Sequence, residues 1–198
     1  HSPSDCFDAA FNAAKIALEH MTPVILMSEG FLGNGSEPWR IPSMSDYPEI
    51  RPPFATGALG AHDRFKPFER DPETLVRKWA VPGMKGFEHR VGGLEKNHAG
   101  VLSTDPENHA TMVAEREEKI ARIAACIPDL KVDGPSSGEV LVVGWGGTYG
   151  HLLSACHALR DAGREVSLAH FDYIKPVPKN TGDVLSSFKK VIVCEYCG

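Results

Sequence analysis

Apolar residues recur along this chain at two intervals, one helical and one extended. Phe7, Phe11, Ala14 and Leu18 lie three or four positions apart, which is the spacing of a single helical face. A helix is therefore predicted over 6–20, capped by Ser4 or Asp5. Thr22 and Pro23 break it. Residues 24–27, V-I-L-M, then read as a short apolar strand, and Ser28, Glu29 and Gly30 turn out of it. One helix and one strand cannot bury themselves, so this unit calls for a sheet supplied by upstream residues. A second helical face runs through Val113, Ile120, Ile123, Ala124 and Ile127. Thr104 or Asp105 caps that helix, Pro106 occupies its first turn and Pro128 ends it. The intervening run E-R-E-E-K is its solvated side, with helix-spaced salt-bridge options.

The pattern changes after the turn D-G-P-S-S-G at 133–138, the clearest domain boundary. Strands are predicted at 139–144, 165–171 and 190–195, with helices at 151–162 and about 181–188. Strands alternating with helices imply an α/β fold built on a mostly parallel sheet covered on both faces. Between the two halves, 36–101 is dense in proline and glycine but interleaved with Trp39, Phe54, Phe65, Phe68, Trp79 and Phe87. A disordered linker is poor in aromatics. This stretch reads as an ordered strap lying on a neighbouring surface, since loops of this length are usually functional or interfacial.

Charge and composition narrow the partners. The 198 residues carry a net charge of −5, with no arginine-rich run, so nucleic acid is not an expected partner. No apolar run approaches the ~20 residues that span a bilayer, and no signal peptide is visible. Five cysteines at scattered positions do not form a secreted disulfide framework, so a reducing cytoplasm is expected. The chain begins without methionine and stops just after a strand, so it is expected to be part of a longer protein.

The most informative chemistry lies at 139–150, E-V-L-V-V-G-W-G-G-T-Y-G. A strand, a glycine turn and a helix form half of a parallel α/β unit. Such a turn can aim backbone N–H groups at an anion, or it can serve only to let helix and strand pack closely, with Thr148 capping the helix. A dinucleotide fingerprint requires G-x-G-x-x-G with an acid about 20 positions on. Gly144 and Gly146 match, Tyr149 breaks the third position, and Asp172 stands where a ribose-binding acid belongs. Nicotinamide binding is thus the alternative reading. Cys194 and Cys197 have C-x-x-C spacing without a second pair, which favours a structural thiol over a metal or redox site. The nine histidines include no H-x-x-x-H pair, and His98 and His109 read as hydrogen-bonding side chains. No metal-ligand set is expected, and no catalytic residue.

Six blocks in order carry a resemblance: P-V-I-L-M-S-E-G-F-L, E-H-R-V-G-G-L-E, D-P-E-N-H-A-T-M-V-A-E-R-E-E-K, V-G-W-G-G-T-Y-G, H-F-D-Y-I-K-P-V-P and V-I-V-C-E. Together they resemble the alpha subunit of the 2-oxoacid:acceptor oxidoreductases that use 2-oxoglutarate and ferredoxin, over essentially the whole chain. The resemblance implies a thiamine-diphosphate enzyme with Mg2+, coenzyme A and an iron–sulfur cluster in the complete complex. It implies a beta subunit and ferredoxin as partners, within a larger oligomer. Residues 1–35 would end a pyrimidine-binding thiamine-diphosphate domain, 36–105 form the strap and 106–137 connect. Residues 138–198 would be a transketolase C-terminal-like domain. The fragment would then be mainly scaffold and subunit interface, with Gly146, Gly147 and Thr148 as candidate contacts for coenzyme A or an anion. Two departures stand out: the family favours aspartate near Glu29, and continues differently after V-C-E.

Overall fold

The structure, a computed structural model, describes residues 1–57 and 63–195. By proximity the chain forms two units: His1–Phe11, Ile25–Pro42 and Ala124–Gly198 in the first, Asn12–Val24 and Ser43–Ile123 in the second.

The first unit is built on β2 (Gly138–Trp145). It pairs in parallel with β3 (Val166–Phe171) on one side and β4 (Phe188–Val193) on the other, and β1 (Val132–Asp133) joins β3 antiparallel. The order is β1-β3-β2-β4. The run L-V-V of β2 is buried on both sides because successive side chains alternate between faces. Leu141 and Val143 pack with Leu130, Ala169, Phe171 and Phe188, under Val184 and Leu185 of α5 (Thr181–Ser186). Val142 faces the other way, with Cys156, Val166 and Leu168, against Leu152 and Leu153 of α4 (Tyr149–Asp161). The expected sheet covered on both faces is present, with every predicted strand and helix of this half within a few residues of its place. β1 is additional. Among the described residues β4 lies at the edge of the sheet, and beyond Phe188 its residues are exposed. Cys194, expected inside a buried strand, instead follows β4, half-buried against Val142 and its neighbours. Cys197 lies outside the described residues.

Residues 24–27 depart from the expectation. They form no regular element and, among the described residues, no strand pairs with them, and Ile25 is 86% exposed. A strand needs hydrogen-bonded neighbours as well as apolar side chains. A five-residue helix, α2 (Gly30–Asn34), follows and buries Leu32.

In the second unit the last turns of α1 (Asp5–His20) and all of α3 (Pro106–Ile123) support the proline-rich strap. Asp105 caps α3 as expected, its Oδ1 accepting from the Glu107 N–H at 3.0 Å. Of the side read from sequence, Ile123 and Ile127 are buried and Ile120 and Ala124 half-buried, while Val113 is 44% exposed, and Met112 and Lys119 join the buried side. Lys119 is the unexpected member. Its stem is buried and its ammonium donates to the carbonyls of His20 (3.3 Å) and Met21 (3.0 Å) at the C-terminus of α1, where a cation is favoured. A polar-out rule misplaces such a residue.

The strap does not run as a loose surface layer. Phe54 bridges Trp79, Arg70 bridges Arg77 and Lys96 bridges Leu102. Val76 and Phe87 are buried, and the Trp79 indole donates to the Leu18 carbonyl at 2.8 Å. Two carboxylates tie it to α3. Glu95 meets His109 (2.8 Å) and Arg116 (3.2 Å), contacts that hold its carboxyl below the usual range, His109 foremost. Glu115 meets Arg70 (2.8 Å) and His98 (2.9 Å). His98 and His109 are thus hydrogen-bonded side chains.

Burial pulls Lys119 down to about 8, with Arg70 and Arg77 adding repulsion. A lysine lowered in the folded state releases its proton before the unfolded chain does. Stability therefore rises with pH between about 8 and ~10.4, by at most about 3 kcal/mol. Urea unfolding of the protein and of Lys119→Met across this range should show the lysine form gaining on the methionine form. A constant difference between them would refute the shift.

Candidate functional site

The carboxyl ends of β2 and β3 are adjacent, and the chain leaves them for helices on opposite faces, α4 and α5. Parallel sheets place ligands in the crevice outside such strand ends. The residues that gather there come from the glycine turn after β2, from Glu29, from the start of α1 and from the end of β3.

Each position of the turn has its own constraint. At Gly144 a Cβ would lie 2.4 Å from Leu152 Cδ1 and 2.8 Å from Thr148 Oγ1, so this glycine allows close helix–strand packing. Gly146 has φ +61, a left-handed conformation natural to glycine. At Gly147 a Cβ would lie 1.6 Å from Glu29 Oε1, and that oxygen is buried without a hydrogen-bond partner. Thr148 is buried, and its hydroxyl donates to the Trp145 carbonyl at 2.7 Å. It does not cap α4 through its side chain, as the sequence reading had it, because a hydrogen bond back across the turn engages it.

Gly146, Gly147 and Thr148 are thus brought together, with the chain's own carboxylate resting on the middle residue. Negative charge beside Gly147 disfavours an incoming anion while Glu29 stays there. Sequence reasoning missed Glu29 as part of this turn, and its departure from the aspartate usual in the resemblance was the one available signal.

Beside the turn, His170 Nε2 lies 3.4 Å from the Thr148 hydroxyl. Burial above all lowers the His170 imidazole to about 4. The His1 ring stands 4.4 Å from Tyr149 and 5.7 Å from His170. Asp172 follows β3, at the place expected from sequence. Its carboxyl is pushed up by partial desolvation and then by Asp5, and the phenol of Tyr173 is raised by burial and then by Asp172 and Asp5. Lys131, His170, Asp172 and Tyr173 line a small cleft here.

Thiamine diphosphate requires a carboxylate against its aminopyrimidine and a cation with donors for its diphosphate. Among the described residues of 1–122 these are not brought together. Glu95 and Glu115 are tied in ion pairs to α3 and the strap, Glu19 pairs with Lys15, and Glu29 sits on Gly147. No step of thiamine chemistry is assigned to these residues.

The comparisons with known proteins agree in direction. The family described as pyruvate flavodoxin/ferredoxin oxidoreductase, thiamine diphosphate-binding, matches residues 1–122. The chain is 46% identical, over 98% of its length, to the 2-oxoglutarate oxidoreductase subunit KorA of Mycobacterium tuberculosis, spanning 29% of that protein. It is 29% identical over 93% of its length to 2-oxoacid:ferredoxin oxidoreductase 1, subunit alpha, of Aeropyrum pernix, again spanning 29% of it. Among solved structures, the 2-oxoglutarate:ferredoxin oxidoreductase of Magnetococcus marinus, with 2-oxoglutarate, coenzyme A and succinyl-CoA bound, superposes with a TM-score of 0.82 at 25% identity. That match covers 96% of this chain and 32% of the other. The nicotinamide reading finds no support in these matches, and the carboxylate on Gly147 stands where a pyrophosphate would have to approach. With the match at 1–122 taking in more than half of the residues, the chain belongs to the pyruvate flavodoxin/ferredoxin oxidoreductase family, thiamine diphosphate-binding.

Proposed function

We propose that this chain is part of the alpha subunit of a 2-oxoglutarate:ferredoxin oxidoreductase, contributing scaffold and subunit interface rather than reacting groups. The identity of 46% across nearly the whole chain to a 2-oxoglutarate oxidoreductase subunit carries this reading. The complete enzyme would decarboxylate a 2-oxoacid oxidatively, pass electrons to ferredoxin and hand the acyl group to coenzyme A. Thiamine diphosphate supplies the carbanion chemistry when bound. Mg2+ and an iron–sulfur cluster complete the set, a beta subunit is the partner and the cytoplasm is the compartment. The proposed segments are 1–35, 36–105, 106–137 and 138–198, as read from the sequence. Gly146, Gly147 and Thr148 are proposed to meet coenzyme A or another anion only once Glu29 has swung away.

The strap supplies the interface in this reading. Val91, Leu94 and Val101 are exposed on a loop that Glu95 ties to α3, a rigid apolar surface suited to a subunit. Deleting 85–100 is expected to abolish co-purification with the beta subunit, and unchanged complex formation would count against the interface. The isolated 198 residues are expected to show no 2-oxoglutarate-dependent dye reduction. Detectable turnover by them alone would overturn the scaffold role.

A further inference from the structure

The start of α1 and the end of β3 converge in the crevice. His1, Asp5 and Asp172 present one imidazole and two carboxylates whose donor atoms all lie within 4.8 Å of one another. Two carboxylates at that separation repel, with Lys131 and the His1 ammonium as the cations facing them. The surroundings are short of hydrogen bonds as well. Nδ1 of His1 and Nδ1 of His170 are both buried without a partner, although a buried nitrogen left unpaired is costly. Facing carboxylates beside orphaned imidazole nitrogens form an arrangement that a cation would settle.

We propose that His1, Asp5 and Asp172 bind a divalent transition-metal cation, with water completing its shell. One imidazole and two carboxylates suit Zn2+ or Mn2+, whereas thiolate-loving ions need sulfur and Ca2+ or Mg2+ needs an all-oxygen set. The donors have to draw together by roughly 1 Å to sit ~2.0–2.2 Å from one ion. Asp172 keeps an open side to solvent and Asp5 is half-buried, so their side chains have room for that adjustment. His170 and Tyr149, whose rings stand 5.1 Å apart, wall the site. The cleft lined by Lys131, His170, Asp172 and Tyr173 gives access from solvent. The ion would fasten the first turn of α1 to the end of the sheet, a structural role in which metal binding and folding are coupled. One competitor is visible. The α-ammonium of His1 lies 2.8 Å from Asp5 Oδ2, a contact the ion has to displace.

The test uses the metal-stripped 198-residue chain, titrated with Zn2+ by calorimetry and with Mn2+ by electron paramagnetic resonance. A single 1:1 site is expected, at least tenfold weaker in Asp172→Asn and in Asp5→Asn. His109→Gln, in the other unit, should bind as the parent does. Far-UV circular dichroism checks that each variant is folded, and Zn2+ should raise the melting temperature of the parent but not of Asp172→Asn. Absence of a saturable single site, or affinity equal to the parent's in either aspartate variant, overturns the proposal. The readouts involve metal alone, so they stand apart from the proposed oxidoreductase activity.

Discussion

Leu141→Ala should destabilise the protein by about 3 kcal/mol, within the ~2–5 kcal/mol span of large-to-small core changes. Leu141 is fully buried in the central strand, among Leu130, Val143, Ala169, Phe171 and Phe188. Neighbouring strands flank β2 on both sides, so the walls cannot close readily on the space left behind, and the cavity term stays close to its full size. Thermal unfolding followed by circular dichroism should show the midpoint falling by roughly 10 °C, at about 2–4 °C per kcal/mol for a protein of this length. A fall of under ~2 °C would mean that this face of the sheet is not packed as described.

Gly144→Ala should cost about 1–3 kcal/mol by overpacking. The added methyl would meet Leu152 Cδ1 at 2.4 Å and Thr148 Oγ1 at 2.8 Å, with the Cys194 carbonyl behind them at 3.4 Å. Leucine can turn aside only into neighbours that are themselves packed, and Thr148 is held by Trp145. Pairing the change with Leu152→Ala should recover part of the loss, because residues in contact do not add. Full additivity of the two changes would show that the helix does not lie against Gly144. Gly147→Ala makes a useful contrast. Its clash is with the end of one flexible side chain, Glu29, so its expected result is displacement of that carboxylate with little loss of stability.

The two glycines looked alike in the sequence, where packing and anion binding were both open readings of one turn. The structure separates them by what lies opposite. Gly144 faces α4 through Leu152, a contact eight residues away, whereas Gly147 faces Glu29 from a segment more than a hundred residues earlier. Local spacing carries no information about the second kind of contact. The same holds for α3, whose period was plain from sequence but whose buried side also takes in Lys119. The carbonyls that hold that lysine belong to α1, and no rule written along α3 contains them. Residues 24–27 failed in the opposite sense: their apolar character was legible, but pairing is a property of two segments.

What the amino-acid order determined unaided is the succession of elements from 138 onward, the cover on both faces of the sheet, and the family. Alternation and helical period are local and repeat many times, so single exceptions do not hide them. Only the folded chain decided that Glu29 rests on Gly147, that Lys119 turns inward, that β4 is an edge, and that His1, Asp5 and Asp172 meet. Each of these joins residues distant in sequence, and which of them touch is set by the packing of whole elements against one another.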